Sequence, residues 1–117
     1  MSDSTLVNLT RIQETSDGDL EFEVELINMY LDDAEQHLGD IKQAMDSKDA
    51  KALRHAAHTL KGASANIGAV GMQQIALEIE SAGSEAKLDN LGELWTQLQA
   101  NMAQTRAFYE NYLSTIS

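Results

Sequence analysis

Apolar side chains recur at alternating spacings of four and three residues along most of this chain. Residues three and four apart share one face of an α-helix, so such a stripe predicts an amphipathic helix. The first long stripe consists of Leu20, Val24, Ile27, Leu31, Ala34, Leu38, Ile41 and Met45. Glu21, Glu23, Glu25, Asp32 and Asp33 fall mainly off that stripe, and we expect them to face solvent.

Three further stripes follow, separated by short breaks. They consist of Leu53, Ala56, Leu60, Ala63 and Ile67; Met72, Ile75, Ile79 and Ala82; and Leu91, Leu94, Leu98, Met102, Thr105, Tyr109, Tyr112 and Ile116. Asp46 to Asp49 forms the first break, Gly68 and Gly71 bracket the second, and Gly83-Ser84 ends the third stripe. Polar capping residues and glycine are typical of helix ends. Residues 5–14 carry Leu6, Leu9 and Ile12, which predicts a short additional helix.

Four amphipathic helices with short connections bury their stripes best against one another, as antiparallel neighbours. We therefore predict an all-α fold, an antiparallel up-down-up-down four-helix bundle with the short N-terminal helix capping one end. The absence of proline and the low aromatic content also favour helix over sheet. With 117 residues and no linker-like segment, residues 1–117 are predicted to form a single domain.

The charge of the chain restricts its partners. A net charge of −11 argues against binding of nucleic acid and of anionic membrane surfaces. No apolar run is long enough to cross a membrane, the first residues lack the pattern of a signal peptide, and cysteine is absent. We therefore expect a cytoplasmic protein. Five of the eight basic residues nevertheless lie between Lys42 and Lys61.

That basic region leads into the segment HAAHTLKGASANIGA, residues 55–69. On a helix at about 100° per residue, it divides into two faces. Ala56, Leu60, Ala63 and Ile67 form the apolar face, whereas His58, Lys61, Gly62 and Ala65 lie opposite it. The sequence thus predicts an exposed histidine with a cation one turn away and small residues beside it.

Histidine on a helix surface has several possible roles. It is most often a plain surface residue, which is our interpretation of His37 and His55. His55 and His58, three residues apart, could share a metal ion, although no Glu-x-x-His pair supports such a site. Acid-base catalysis would need a pocket. As a nucleophile, His58 could attack a phosphoryl group, with Lys61 stabilising the negative charge and Gly62 and Ala65 leaving room for a partner.

The run AHTLKGASANIGA resembles the signature of histidine-containing phosphotransfer domains, the HPt family, whose core pattern is His-x-x-Lys-Gly on the second helix of a four-helix bundle. Here these residues are His58, Lys61 and Gly62, followed by Ser64, Asn66 and Gly68. The resemblance implies that His58 is the phosphoacceptor, through Nε2. It also implies that Lys61 pairs with the phosphoryl oxygens and that Gly62 permits close docking.

Family members usually hold the other ring nitrogen with a Gln or Glu on the next helix. Alignment without gaps to the phosphotransfer domain of the chemotaxis kinase places that residue at Glu80, with Gln73 and Glu78 as alternatives. We also assign Lys51, Arg54, Gly62, Ala65 and Ser64 to the binding surface. Lys51 and Arg54 would face the acidic pocket of a receiver domain. Ser64 and Asn66 could instead form local hydrogen bonds to the helix backbone.

The resemblance implies a free-standing phosphotransfer protein in a multistep phosphorelay, one that takes its phosphoryl group from a receiver-domain aspartyl phosphate and passes it to another receiver. Such a protein is a covalent phosphocarrier and not an enzyme, because the chain has no nucleotide-binding segment. Its partners would be response-regulator receiver domains and a hybrid sensor histidine kinase. We expect no cofactor on this chain, with Mg²⁺ on the receiver, and a monomer. The alternatives are a non-phosphorylated docking scaffold and a metal-binding bundle.

Overall fold

The computed structural model describes residues 6–89 and 91–116, and helices make up the fold within these ranges. The helices are α1 (Leu9–Ser16), α2 (Leu20–Ser47), α3 (Ala50–Ile67), α4 (Val70–Ser84) and α5 (Leu91–Ile116). This arrangement confirms the predicted fold class. The short N-terminal helix begins at Leu9, later than predicted, and Thr5 in its predicted range lies outside the described residues.

The four long helices surround a hydrophobic core. Each of α2, α3 and α4 packs against the next helix along the chain, and α2 also contacts α5, which closes the bundle. The connections from α2 to α3 and from α3 to α4 contain two residues each, so these neighbours run antiparallel. The short helix α1 contacts α2 and α3. Leu53, Leu60, Met72, Ile79 and Leu98 are among the fully buried side chains at the centre.

Side-chain caps begin three of the helices where the sequence offers a short polar residue. Asn8, Asp19 and Asp49 each accept a hydrogen bond from a backbone N–H in the first turn of α1, α2 and α3, respectively. These bonds satisfy donors that the helix itself leaves free. The break predicted at Asp46 to Asp49 is narrower in the structure, because α2 continues to Ser47 and ends at Lys48 in the left-handed conformation.

The N-terminal end of α2 departs from the predicted stripe. Leu20 is 48% exposed, whereas Glu23, which was expected in solvent, is buried. The Glu23 carboxylate accepts hydrogen bonds from Ser16 Oγ at 3.0 Å and from Tyr112 Oη at 2.5 Å. Hydrogen bonding of this kind is what makes a buried carboxylate tolerable. Burial, reinforced by this carboxylate, raises the pKa of Tyr112.

The connection between α3 and α4 is held by the segment that precedes α1. Asn8 N donates to Gly68 O at 2.7 Å, and Gly71 N donates to Leu6 O at 3.0 Å. Gly68 ends α3 with a φ of 81°, as a helix-terminating glycine does. The prediction that Gly71 brackets this break is wrong, because α4 begins at Val70 and Gly71 lies in its first turn. A Cβ atom at Gly71 would lie 2.8 Å from the Asn101 side chain, so this glycine serves helix packing.

A third glycine brings α3 and α4 close together. Gly83 is buried in α4, and a Cβ atom there would lie 2.9 Å from Arg54 N and 3.0 Å from Ala50 O in α3. Small residues at a helix contact let the two backbones approach closely. This contact lies one turn from Glu80 on α4, so it controls how near Glu80 comes to α3.

No helix in residues 6–89 and 91–116 combines the length and the apolar character needed to cross a membrane.

Candidate functional site

His58 lies on the outer face of α3 and is bonded to a carboxylate on α4. Its side chain is 64% exposed, and Nδ1 lies 2.7 Å from Glu80 Oε2. An ionised carboxylate only accepts hydrogen bonds, so this contact requires the proton of a neutral ring to be on Nδ1. Nε2 then carries the free lone pair on an exposed ring. This is the tautomer that a nucleophilic imidazole needs.

The same carboxylate also binds Lys61. The Lys61 ammonium lies 2.6 Å from Glu80 Oε1, and the two side chains are 27% and 16% exposed, respectively. The hydrogen bond from Lys61 is the largest influence on the pKa of Glu80 and lowers it; burial opposes this effect, and the bond to His58 adds to it. Glu80 is therefore ionised at neutral pH. The two oxygens of Glu80 are divided between His58 and Lys61, one to each.

The sequence offered three candidates for the group that faces Nδ1, and the structure brings Glu80 to it. His58 has no hydrogen bond or ion pair with Gln73 or Glu78 among the residues that the structure describes. Gln73 lies two turns before Glu80 on α4, and Glu78 is exposed to solvent. The ion pair between Lys61 and Glu80 was not anticipated. The sequence alone assigned Lys61 only to the phosphoryl group.

Two buried tyrosines fix α3 beneath His58. Tyr30 Oη of α2 lies 2.8 Å from Ser64 Oγ, and Tyr109 Oη of α5 donates to Ile67 O at 2.9 Å. Burial raises the pKa of Tyr30 to about 12 and also raises that of Tyr109, so both hydroxyls stay protonated at neutral pH. The second bond satisfies a carbonyl in the last turn of α3, where the helix has no partner for it. The helix that carries His58 is thus held from α2 and from α5.

The assignment of Ser64 to the binding surface is wrong. Ser64 is fully buried, and its hydroxyl is bonded to Tyr30. Six residues correspond to about 600° of rotation along an α-helix, so Ser64 lies about 120° around α3 from His58. It is four residues after Leu60 and shares the core-facing side with it. The alternative prediction for Ser64 was a local hydrogen bond to the helix backbone. The observed bond instead joins Ser64 to Tyr30 on α2.

Gly62 and Ala65 lie beside His58 and add little side-chain bulk to the surface there. Gly62 is exposed, Ala65 is half-buried, and a Cβ atom at Gly62 would meet nothing within 4 Å. Glycine inside a helix costs about 0.5–1 kcal/mol relative to alanine. Because no neighbour in residues 6–89 and 91–116 requires a glycine here, the space that it leaves is available to another molecule.

Arg54 and Lys51 are exposed on α3, one and two turns before His58, respectively. Neither has an ion-pair partner among the described residues, whereas Lys42, Lys61, Lys87 and Arg106 each have at least one. In a chain with a net charge of −11, these two unpaired cations make the approach to His58 locally basic.

Apolar residues near the site were not identified from the sequence. Leu26 and Met29 on α2 line a groove with Ala63 and Asn66 on α3, one and four residues after Gly62. Met29 is 60% exposed. Its position off the buried stripe was the available signal, since a methionine on a polar helix face is unusual. The spacing of residues along α2 could not show that this apolar surface continues onto α3.

The two histidines of the metal hypothesis face different neighbours. His55 lines a separate groove between α2 and α3 together with His37, whereas His58 is bonded to Glu80 on α4. Residues 6–89 and 91–116 contain no cluster of three or more His, Asp or Glu side chains arranged to hold a metal ion.

Comparisons with known proteins agree with this geometry. The family model described as the Hpt domain matches residues 25–108, which is more than half of the chain. The chain belongs to the Hpt domain family. The match includes the Hpt signature residues His58, Lys61 and Gly62 as well as Glu80, and it confirms the resemblance found in the sequence.

Two curated relatives match more than two thirds of this chain. The chain is 26% identical over 89 residues to the phosphorelay intermediate protein rdeA of Dictyostelium discoideum, covering 76% of this chain and 35% of that protein. It is 30% identical over 83 residues to the multistep phosphorelay regulator 1 of Schizosaccharomyces pombe, covering 71% of this chain and 28% of that protein. The chain therefore spans about a third of the length of the curated relatives it matches.

Solved Hpt structures share the fold. The histidine-containing phosphotransfer protein B of Pseudomonas aeruginosa PAO1 superposes with a TM-score of 0.88 and 24% identity, over 95% of this chain and 96% of that one. The HPT domain of the Hpt sensor hybrid histidine kinase from Shewanella superposes with a TM-score of 0.79 and 23% identity, over 99% of both chains. At these identities the likeness establishes the helical bundle.

Proposed function

We propose that this chain is a histidine phosphotransfer protein of a multistep phosphorelay. His58 Nε2 attacks the phosphorus of an aspartyl phosphate on a receiver domain, a P–N bond forms, and the P–O bond to the aspartate breaks. In the reverse sense, the phosphoryl group passes from His58 to the aspartate of another receiver. The chain acts as a covalent carrier and not as a kinase.

The observation that carries this proposal is the contact between Glu80 Oε2 and Nδ1 of the exposed His58 ring, 2.7 Å apart. A carboxylate in this position keeps the proton on Nδ1, so that Nε2 is free on the solvent side. Because the ring is exposed and not enclosed in a pocket, the active site of a second macromolecule can reach Nε2. The relatives named as phosphorelay proteins support this assignment.

The surface around His58 suits the active site of a receiver. Gly62 leaves room above α3, the groove lined by Leu26 and Met29 offers apolar contact, and Lys51 and Arg54 complement an acidic partner. We propose response-regulator receiver domains and a hybrid sensor histidine kinase as partners, in the cytoplasm. The Mg²⁺ ion that assists the transfer would be held by the receiver, and the protein would act as a monomer.

Transfer of label from a phosphorylated receiver domain tests this function. Incubation should place a phosphate that is labile in acid and stable in base on the wild-type chain. His58→Gln should abolish the label without loss of helical circular dichroism. His55→Gln, a histidine three residues earlier on the same helix, should retain it. Label on the His58→Gln variant would refute the site, and no label from any of several receivers would favour the docking scaffold.

A further inference from the structure

Met29 is the most exposed methionine among the residues that the structure describes. It is 60% exposed, whereas Met72 and Met102 are 0% and 3% exposed. Met45 is half-buried against the hydrophobic core. The chain contains no cysteine, so the sulfur atoms that an oxidant could reach belong to methionines. Because oxidation of a thioether requires access to its sulfur, exposure selects Met29 among the described methionines.

The surroundings of Met29 turn an oxidation there into a change of the surface beside His58. Met29 and Leu26 form the α2 side of a groove that Ala63 lines from α3. Ala63 directly follows Gly62, so the groove begins beside the surface over which a receiver would approach. Methionine is apolar and unbranched, and it adapts to partner surfaces of different shape. Its sulfoxide is polar, and an S–O group that loses its water in an apolar contact weakens that contact.

We propose that Met29 is a reversible oxidation site that controls docking of the receiver. Hydrogen peroxide transfers one oxygen atom to the Met29 sulfur. Its O–O bond breaks, an S–O bond forms, the sulfur loses two electrons, and the peroxide is reduced to water. A methionine sulfoxide reductase removes the oxygen again as water, with a dithiol as the reductant.

The phosphoacceptor itself is left intact by this change. His58 is bonded to Glu80 on α4, whereas the groove that contains Met29 lies on the other side of α3, toward α2. Oxidation should therefore weaken docking and leave the reactivity of the ring as it is. This inference rests on the proposed function, because the docking that it controls is that of a receiver domain.

Oxidation of the full chain followed by transfer kinetics tests the proposal. After treatment with hydrogen peroxide, peptide mapping by mass spectrometry should find added oxygen at Met29 before Met72 and Met102, with helical circular dichroism unchanged. Transfer from a phosphorylated receiver should slow by about tenfold, the effect expected of a polar group buried without a partner. A methionine sulfoxide reductase should restore the rate. Oxidation of the buried methionines first, or an unchanged transfer rate with Met29 oxidised, would overturn the proposal.

Two substitutions separate Met29 from the other methionines. Met29→Leu keeps an apolar side chain of similar size, and it should transfer at about the same rate before and after treatment with peroxide. Met29→Gln places a polar group in the groove, as the sulfoxide does, and it should slow transfer without any peroxide. If peroxide slows Met29→Leu as much as the wild type, another residue is responsible and the proposal is wrong.

A small phosphoryl donor separates this inference from the proposed function. Phosphoramidate needs no docking surface, and its P–N bond breaks with loss of ammonia as the phosphoryl group bonds to His58 Nε2. Its labelling of His58 should be equal in the oxidised and unoxidised wild type. Equal slowing with phosphoramidate and with a receiver would show that oxidation disturbs the ring, which would overturn the control of docking. No label on the unoxidised chain from either donor would overturn the proposed function, and the control of docking with it, while the peptide map would still decide whether Met29 is the oxidation site.

Discussion

Gly62 in α3 and Gly68, the residue that ends α3, lie six residues apart, and they lack side chains for opposite reasons. A Cβ atom at Gly68 would lie 2.1 Å from the Asn8 carbonyl oxygen, and its φ is 81°. A Cβ atom at Gly62 would meet nothing within 4 Å. The fold therefore requires glycine at position 68. Glycine at position 62 lowers the stability of the helix, and only an external partner explains its presence.

Gly62→Ala should consequently stabilise the protein and impair its function. We expect a gain of about 0.5–1 kcal/mol in the free energy of unfolding, because alanine is the better helix former. Phosphoryl transfer from a receiver domain should slow, since the methyl group stands in the docking surface, while labelling by phosphoramidate should not. Urea denaturation and transfer kinetics measure the two effects. Equal slowing with both donors would show that the methyl group disturbs His58 itself.

Glu80→Ala should slow phosphorylation of His58 by about 10-fold to 100-fold. A hydrogen bond to a charged group contributes about 1.5–3 kcal/mol, and each 1.36 kcal/mol in the barrier is tenfold in rate. Single-turnover transfer kinetics and the His58 tautomer ratio measure the change. Glu78→Ala removes an exposed acid of the same helix and is the matched control. If the two variants transfer at the same rate, Glu80 has no role at the site.

The contact of Glu80 with His58 should also depend on pH, and it should be lost as the pH falls. The pKa of Glu80 is lower in the folded protein than its ordinary value, chiefly because Lys61 bonds to the carboxylate. The stabilisation from an ionised Glu80 is therefore present in full above the ordinary glutamate pKa. It is lost as the pH falls through the lowered pKa, which the titration of the Glu80 carboxyl carbon by NMR would locate. A carboxyl that titrates above the ordinary value would contradict the ion pair.

Ser64→Ala should destabilise the fold and leave phosphoryl transfer unchanged. The substitution leaves the buried hydroxyl of Tyr30 without its partner, at a cost of about 1–3 kcal/mol. Thr59→Ala removes an exposed hydroxyl of the same helix that bonds only locally to His55 O, and it should change stability by less than about 0.5 kcal/mol. Slower transfer in Ser64→Ala at unchanged stability would instead support the assignment of Ser64 to the binding surface.

Reversing the two unpaired cations tests the electrostatic part of docking. Lys51→Glu with Arg54→Glu should slow the association with an acidic receiver by about 10-fold at low salt, and the difference should shrink as salt is added. Each single reversal, Lys51→Glu or Arg54→Glu, is compared with Lys87→Glu in the connection after α4, which changes the net charge by the same amount. The rate constant for association, measured by stopped flow at several salt concentrations, separates the two positions. Equal effects would mean that only net charge matters.

The number and order of the long helices were predictable from the sequence. Each of the four apolar stripes, with its spacing of three and four residues, can be interpreted only as one amphipathic helix. His58, Lys61 and Gly62 were predictable because their spacing lies within a single helix. Glu80 was reached only through an alignment with a family member, and its bond to Lys61 was not foreseen, since contacts between helices depend on how close the backbones come. Gly83 determines that distance, and its effect is invisible in the stripe pattern.

Buried polar residues were the other source of error. Glu23 was expected to face solvent, as charged side chains usually do, and Ser64 was assigned to the binding surface. Each is instead bonded to a tyrosine hydroxyl from another helix, Tyr112 and Tyr30 respectively. A periodic pattern cannot identify such a pair, because the two members are 89 and 34 residues apart in the chain.

The segment Leu6–Asn8 gives the fold a requirement that the family match does not contain. The match begins at residue 25, yet the backbone of this earlier segment bonds to Gly68, at the end of the helix that carries His58, and to Gly71 in the first turn of α4. A fragment limited to the residues of the family match would therefore lack the segment that holds this helix end. Excision of the domain for transplantation into another signalling protein should include these residues.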